Sequence, residues 1–344
     1  MGMTRIQRPP ASLAEVHERC RNKPSADIGA ARRAGERNTA LTKPPGSLGR
    51  LEDLAIWYRS WHPDRRRIEK IQTVIFAGNH GIAARGVSAY PADVTAQMVA
   101  NFDAGGAAIN QLVAMIGGTL NVVPLQLETP TNDFSEAPAM SVEETVAAFG
   151  VGWSSIDQAA DLLILGEMGI GNTTSAAAIC YGLFGGAVDD WIGQGTGVDQ
   201  GGLDRKRTLL EAALQCNESS LTDPLGVLQC LGGREVAALS GALCAARHAS
   251  LPVVLDGYIV TAAAAVLYCC AEDMLDHTVA GHLSSEQAHR RLLDRLKLNP
   301  LLDLAMRLGE GSGAAVAAQI LKSAMACHDG MATFGEAGVS ESGP

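Results

Sequence analysis

The sequence predicts an α/β fold: a parallel β-sheet covered by helices on both faces. Three observations predict it. Short all-apolar runs, Val74-Ile75-Phe76-Ala77, Leu162-Leu163-Ile164-Leu165 and Pro252-Val253-Val254-Leu255, alternate with helical patterns, as strands of a doubly covered sheet require. Each run ends in glycine-bearing chain, at the strand's carboxyl end. The composition, with 38 glycines, 47% hydrophobic and only 4% aromatic residues, suits tight strand–helix turns and suits a β-sandwich poorly.

The elements follow in order. Residues 1–46 are polar and partly helix-prone, and Lys43-Pro44-Pro45-Gly46 breaks any helix there. Leu48, Leu51, Leu54, Ala55 and Tyr58 fall on one helical face. The strand at 74–77 runs into Gly78-Asn79-His80-Gly81, and a helical stretch spans Val94 to Val113. Leu120 to Leu125 reads as a strand, and the acidic stretch 128–145, with Pro130 and Pro138, as an exposed excursion. The strand at 162–165 leads into Gly166-Glu167-Met168-Gly169-Ile170-Gly171-Asn172-Thr173-Thr174 and an Ala-rich helix from Ser175. A helix is expected near 235–248. Ser284 with Gln287 reads as a capping box for a helix ending at Asn299-Pro300. Leu301, Leu304, Ala305 and Leu308 form a further helical face, Ala314 to Ala326 another, and residues after His328 a loose tail.

Composition excludes several classes. The 27 basic and 37 acidic residues give a net charge of −10, which disfavours a nucleic-acid binder. The eight cysteines are scattered without CxxC or zinc-ligand spacing. No metal cluster or cofactor motif is read. The N-terminus leads into no apolar stretch and is not a secretory signal. The run Ile259 to Ala271 is too short to span a bilayer. The reading is a soluble, cytoplasmic protein of a reducing compartment, with no membrane partner.

Four constellations carry chemistry. Gly166 to Thr174 is neither a Walker loop nor a dinucleotide fingerprint. Its glycines and the following helix start can bind a phosphate, or form an ordinary capped turn. Gly193-Gln194-Gly195-Thr196-Gly197, with Lys206 beyond it, can form an anion nest or a plain loop before a basic helix. Leu308-Gly309-Glu310-Gly311-Ser312-Gly313 places a carboxylate between glycines. Burial would raise its pKa toward that of a general base; the alternative is a solvated turn. Near Gly78 to Tyr90, His80 fits a hydrogen-bonded structural role better than acid–base work. Tyr90, Pro91 and Met98 can line a flat apolar pocket with Gln97 as a polar contact, or equally be core and surface of one helix. Asp256, at a strand end, suits holding a loop ahead of a ribose hydroxyl.

At these residues the sequence resembles the nicotinate-nucleotide–dimethylbenzimidazole phosphoribosyltransferase family. The resemblance rests on Lys43-Pro44-Pro45-Gly46-Ser47-Leu48-Gly49-Arg50-Leu51-Glu52, His80-Gly81, Pro91 with Val94-Thr95-Ala96-Gln97-Met98, Gly166-Glu167-Met168-Gly169 with Asn172-Thr173-Thr174, Leu255-Asp256-Gly257, and Met306 to Ala315, in order over roughly residues 40–327. It implies a three-layer Rossmann-like domain with a parallel sheet plus a small helical domain formed from both chain ends. The corresponding division is 70–290 for the large domain, 1–69 with 291–330 for the small one, and 331–344 as a flexible tail. It also implies a homodimer.

By motif position, the resemblance implies Glu310 as catalytic base and Glu167 as a second active-site carboxylate. Gly169, Asn172, Thr173, Gly195, Thr196, Gly197, Lys206 and Ser284 would hold phosphate and ribose. Tyr90, Gln97, Met98 and Leu308 would hold the base. The substrates implied are nicotinate mononucleotide and a benzimidazole-type base, with no cofactor. Two positions depart from the family's pattern: Asn79 stands where many members carry Asp, and the segment around Ala89 and Tyr90 lacks a serine that some carry. Both bear on the choice of base. A metal-dependent phosphate-ester hydrolase or kinase, and a non-catalytic nucleotide-binding module, are the competing readings. Activity in chelator counts against the first, and turnover against the second.

Overall fold

Strands and helices alternate from residue 71 onward in the computed structural model, which describes residues 7–193, 195 and 197–340. Three helices precede the first strand: α1 (Leu13–Arg21), α2 (Ile28–Ala40) and α3 (Arg50–Trp61). β1 (Ile71–Ala77) leads through α4 (Asp93–Asp103) and α5 (Ala108–Ile116) to β2 (Thr119–Pro124), and α6 (Val142–Ser154) leads to β3 (Leu162–Met168). Next come α7 (Asn172–Phe184), α8 (Gln200–Asn217), α9 (Pro224–Leu231) and α10 (Arg234–His248). β4 (Val253–Leu255), α11 (Tyr258–Cys270), β5 (Thr278–Ala280), α12 (Gln287–Arg295), α13 (Ser312–Gly330) and α14 (Phe334–Ala337) follow.

The sheet has the order β2-β1-β3-β4-β5, and every pairing is parallel. Successive side chains point to opposite faces. Val74, Phe76, Leu163, Leu165, Val253 and Leu255 therefore join one core, with α6, α7, α10 and α11. Ile71, Ile75, Leu162, Ile164 and Val254 join the other, with α3, α5 and α13. This is why the central strands read as unbroken apolar runs. After β2 the chain crosses back to the far side of β1 to form β3, so the sheet order reverses there. In such sheets ligands bind where the strand order reverses, at the carboxyl ends. Here that places Gly78-Asn79-His80 beside Glu167-Met168-Gly169.

Several expected elements differ. The helical stretch 94–113 is two helices, because Gly105 turns at φ +77° between α4 and α5. The acidic stretch 128–145 is only partly exposed: Phe134, Ala139 and Met140 anchor it in the core. Residues 301–308 are not helical. They run beside 280–285, with Leu301 N–H donating to Ala280 O (3.0 Å), Leu283 N–H to Leu302 O (2.7 Å) and Ser285 N–H to Met306 O (2.9 Å). Backbone pairing with the segment after β5 overrides the helical spacing, and Leu304 and Leu308 stay exposed. α12 stops at Arg295, short of Asn299-Pro300, and starts from Glu286. Ser284 Oγ instead accepts from Glu286 N–H at 3.3 Å, so the capping box does not form. Within the expected tail, α14 has its own capping box of Thr333 and Glu336, and Thr42 N–H bonds Ala332 O at 3.1 Å.

The two chain ends meet through the Lys43 to Glu52 motif. Glu52 accepts from the Asn38 amide (2.7 Å), the Leu48 N–H (2.9 Å) and Lys43 Nζ (3.0 Å). Arg50 donates to Pro300 O (2.6 Å) and Asn299 O (2.9 Å). The Asn38 amide, then the Leu48 N–H and Lys43, outweigh burial and hold the Glu52 carboxyl down at about 2. Glu52→Gln strands the buried Lys43 and is expected to cost about 3 kcal/mol in urea unfolding at pH 7. The folded value lies below the unfolded one. The carboxylate's contribution is therefore present above about pH 4 and disappears toward pH 2, so the variant's deficit should shrink over that window. A deficit that does not change with pH would contradict this.

Candidate active site

A cavity of about 470 Å³ opens at the carboxyl end of the sheet. Two carboxylates form its floor. Glu167 is the penultimate residue of β3, in register with Phe76 of β1. Asn172, at the start of α7, donates its amide to Glu167 Oε2. Burial above all, then Asp256 and Glu235, pushes the Glu167 carboxyl up to about 8.

Glu310 stands on a left-handed turn. Its φ is +64°, between Gly309 at +83° and Gly311 at +81°. A non-glycine residue in this region is strained and persists only where its surroundings hold it. Asp256 supplies the hold. Its carboxylate accepts from Gly311 N–H (3.1 Å) and Ala314 N–H (3.0 Å), tying the turn and the start of α13 to the end of β4. Gly166 supplies the space, because a Cβ there would lie 2.5 Å from the Glu310 carbonyl carbon. Glu310 is 5% exposed, and its Oε2 has no hydrogen-bond partner. Burial first, then Asp256, pushes its carboxyl up to about 7.

Gly166→Ala should therefore push the Glu310 turn off β3. Because a misplacement of about 1 Å can cost about 10²-fold in rate, kcat is expected to fall on that scale. The substrate KM should change by less than about threefold, since the far end of the cavity does not move. Kinetics together with a cooperative melting curve check this, and an unchanged kcat would reject it.

The opposite end gathers the Thr173 hydroxyl, the Arg307 guanidinium and the Glu286 carboxylate, with the Lys206 ammonium behind them. Gly195 (φ +54°) turns beside Thr173, and Arg307 donates to Gly195 O at 3.2 Å. Lys206, on α8 and 1% exposed, donates to Gly193 O at 2.9 Å and reaches Thr173 Oγ at 3.5 Å. Burial pulls its ammonium down to about 8 against the pull of Glu286. The mouth of the cavity is apolar, with Tyr90, Val94, Met98 and Leu308.

The structure thus brings Glu310, Glu167, Gly169, Asn172, Thr173, Gly195, Ser284, Tyr90, Met98 and Leu308 around one cavity, with Lys206 directly behind Thr173 and Gly195. Gln97 is not among them. Val94 and Met98, four residues apart, present α4 to the cavity, and Gln97 is exposed outside its lining. Gly197 is exposed and also outside the lining. Thr196 lies outside the described residues. His80 is buried and pairs with Glu235 at 2.5 Å, outside the cavity. The lining residues given no role from the sequence include His282, Glu286 and Arg307. Arg307 lies inside the Met306 to Ala315 motif, which was a signal. His282 and Glu286 follow a three-residue strand too short to read.

A phosphoribosyltransferase family model matches residues 24–339. The nicotinate-nucleotide–dimethylbenzimidazole phosphoribosyltransferase of Jannaschia sp. (strain CCS1) is 57% identical over 332 residues, covering 96% of this chain and 98% of the relative. That of Ruegeria pomeroyi is 58% identical over 330 residues, with the same coverage. The chain belongs to the nicotinate-nucleotide–dimethylbenzimidazole phosphoribosyltransferase family. A crystal structure of the phosphoribosyltransferase of this name from Thermus thermophilus superposes with a TM-score of 0.85 at 38% identity, covering 92% of this chain and all of that one. The α/β architecture with its parallel sheet is therefore that of the phosphoribosyltransferase family. In this phosphoribosyltransferase both glycine-flanked carboxylates, Glu167 and Glu310, reach one cavity.

Proposed function

We propose that this cavity transfers the 5-phosphoribosyl group of nicotinate mononucleotide to dimethylbenzimidazole, giving α-ribazole phosphate and nicotinate for cobalamin nucleotide-loop assembly. The observation that carries the reading is Glu310: a buried, unpartnered carboxylate on a strained turn, in a cavity whose other end holds Lys206, Thr173 and Gly195.

The chemistry suits these residue types. The donor's pyridinium nitrogen leaves ribose C1 with the bonding pair, so nicotinate needs no proton. One nitrogen of the benzimidazole attacks C1, and Glu310 takes the proton from its other nitrogen. Positive charge grows on the ribose as the base departs, and Glu167, held protonated up to about pH 8 in the free protein, stabilises that charge in its ionised form. Held by Lys206, Thr173 and the backbone at Gly169 and Gly195, the phosphate fixes the ribose against these groups. Ser284 and Asn172 border the ribose, the latter by orienting Glu167. Attack opposite the leaving base inverts the β-nucleotide to an α-product. Tyr90, Met98 and Leu308 form the wall against which the flat base lies.

Purified protein with nicotinate mononucleotide and dimethylbenzimidazole should release nicotinate and form α-ribazole phosphate in equal amounts, and should do so in chelator. No product at high enzyme concentration would sink the proposal. A panel of competing bases reads acceptor preference at the same site.

The wider reading includes a homodimer, supported by apolar Tyr90, Leu304 and Leu308 standing more than half exposed. Light scattering tests it. It also includes a cytoplasmic location and a small helical unit of residues 1–69 and 291–330 beside the 70–290 domain. Among the described residues, no helix is long and apolar enough to cross a membrane.

A further inference from the structure

One group in the cavity wall has no role in this chemistry. His282, just after β5, is 2% exposed, and neither ring nitrogen has a hydrogen-bond partner. Leaving a buried polar atom unpaired is costly, and such atoms are rare in folded proteins. This imidazole lines the catalytic cavity. It lies two residues before Ser284 and beside Asp256, which holds the Glu310 turn. His282 therefore shares the cavity lining with both Glu310 and Ser284.

The ring's surroundings fix its orientation. Its Nε2 is 3.5 Å from Asp256 Oδ1, too far for a hydrogen bond yet close enough to turn that nitrogen toward the carboxylate. The ring packs on Gly313, where any Cβ would strike it. His289 stands edge-on at 6.2 Å and is itself fully engaged, accepting from Ser284 N–H through Nδ1 (2.9 Å) and meeting Thr261 Oγ through Nε2 (3.0 Å). Assigning the proton to Nε2, the nitrogen that neighbours the Asp256 carboxylate, leaves Nδ1 as the free acceptor.

We propose that His282 Nδ1 accepts a hydrogen bond from a ribose hydroxyl of the nucleotide donor, so that the ring is a substrate-positioning group for this reaction, with Asp256 orienting it. The inference rests on the transferase reading above. It explains why a histidine stands unpaired in this wall: the partner is on the substrate. The bond sets the rotation of the sugar about its phosphate anchor, and hence the position of C1 over Glu167 and Glu310.

Removing one group from the protein and its partner from the substrate tests this. Wild type, His282→Ala and His282→Asn are assayed with nicotinate mononucleotide and with its 2′-deoxy and 3′-deoxy analogues. Asn places an acceptor oxygen near the position of Nδ1. His282→Ala is expected to lose at least tenfold in kcat/KM with the ribonucleotide, and less than threefold with the analogue that lacks the bonded hydroxyl. His282→Asn should recover part of the loss with the ribonucleotide only. Equal losses for all three donors would overturn the proposal and mark the ring as structural, as would full activity of His282→Ala. If the alanine variant does not fold, the asparagine variant decides by the same comparison of donors. Absence of transfer by wild type would instead defeat the transferase reading.

Discussion

Glu310→Gln is expected to lower kcat by about 10²- to 10⁴-fold, the usual range for loss of a positioned general base. The substitution keeps the shape of the side chain and the strained turn, so the nucleotide should bind as before. What disappears is the proton acceptor. Burial and Asp256 raise the Glu310 carboxyl to about 7, and the reaction needs its deprotonated form. The wild-type rate should therefore rise with pH through about 7 and, with Glu167 at about 8, level off only above that, whereas the variant's residual rate should lack the limb at 7. Stability gives an independent reading. Because the folded value lies above the unfolded one, the folded protein holds a proton that the unfolded chain releases, so stability falls as pH rises from about 4.5 toward 7. Glu310→Gln removes this burden and should be more stable than wild type at pH 8, as expected of a residue held strained and buried for function. Urea midpoints at pH 5 and 8 check it; a variant less stable at pH 8 would mean that the carboxylate is a structural partner.

Lys206→Met is expected to raise the KM for nicotinate mononucleotide by about 10- to 100-fold, the loss of a charge-assisted contact worth roughly 1.5–3 kcal/mol. Methionine fills the buried stem and deletes only the charge. The wild-type ammonium sits at about 8 because burial disfavours its charge. In free wild-type enzyme, nucleotide binding should therefore weaken as pH rises past about 8, and the variant should show no such limb. Inorganic phosphate should compete with the nucleotide in wild type and lose that effect in the variant. An unchanged KM would place the phosphate elsewhere. Lys206 meets Thr173 and Gly193 of its own chain.

The two carboxylates of this cavity stand out in the sequence for a physical reason. Glu167 follows an all-apolar strand and Glu310 interrupts a glycine series, so each is a charge where packing has no use for one. Glycines marked positions where the backbone had to turn or come close, as at Gly195, Gly309 and Gly311. Side-chain direction was not legible in the same way. Gln97 shares a motif with Val94 and Met98, yet one helical step turns it away from the cavity. Leu301, Leu304 and Leu308 have helical spacing, but pairing with residues 280–285 keeps them extended. His282 was lost because β5 offers only three residues of strand pattern, and its unpaired nitrogens are a property of the folded cavity alone.

The central claim is that one cavity holds the nucleotide by its phosphate and uses Glu310 as the base. Its most direct test is to titrate nicotinate mononucleotide into wild type and Glu310→Gln by calorimetry, and to follow α-ribazole phosphate from the same samples with dimethylbenzimidazole. The account predicts matching nucleotide affinities, with product at the full rate from wild type alone. Wild-type turnover by the variant, or nucleotide binding with no product from wild type, would contradict it.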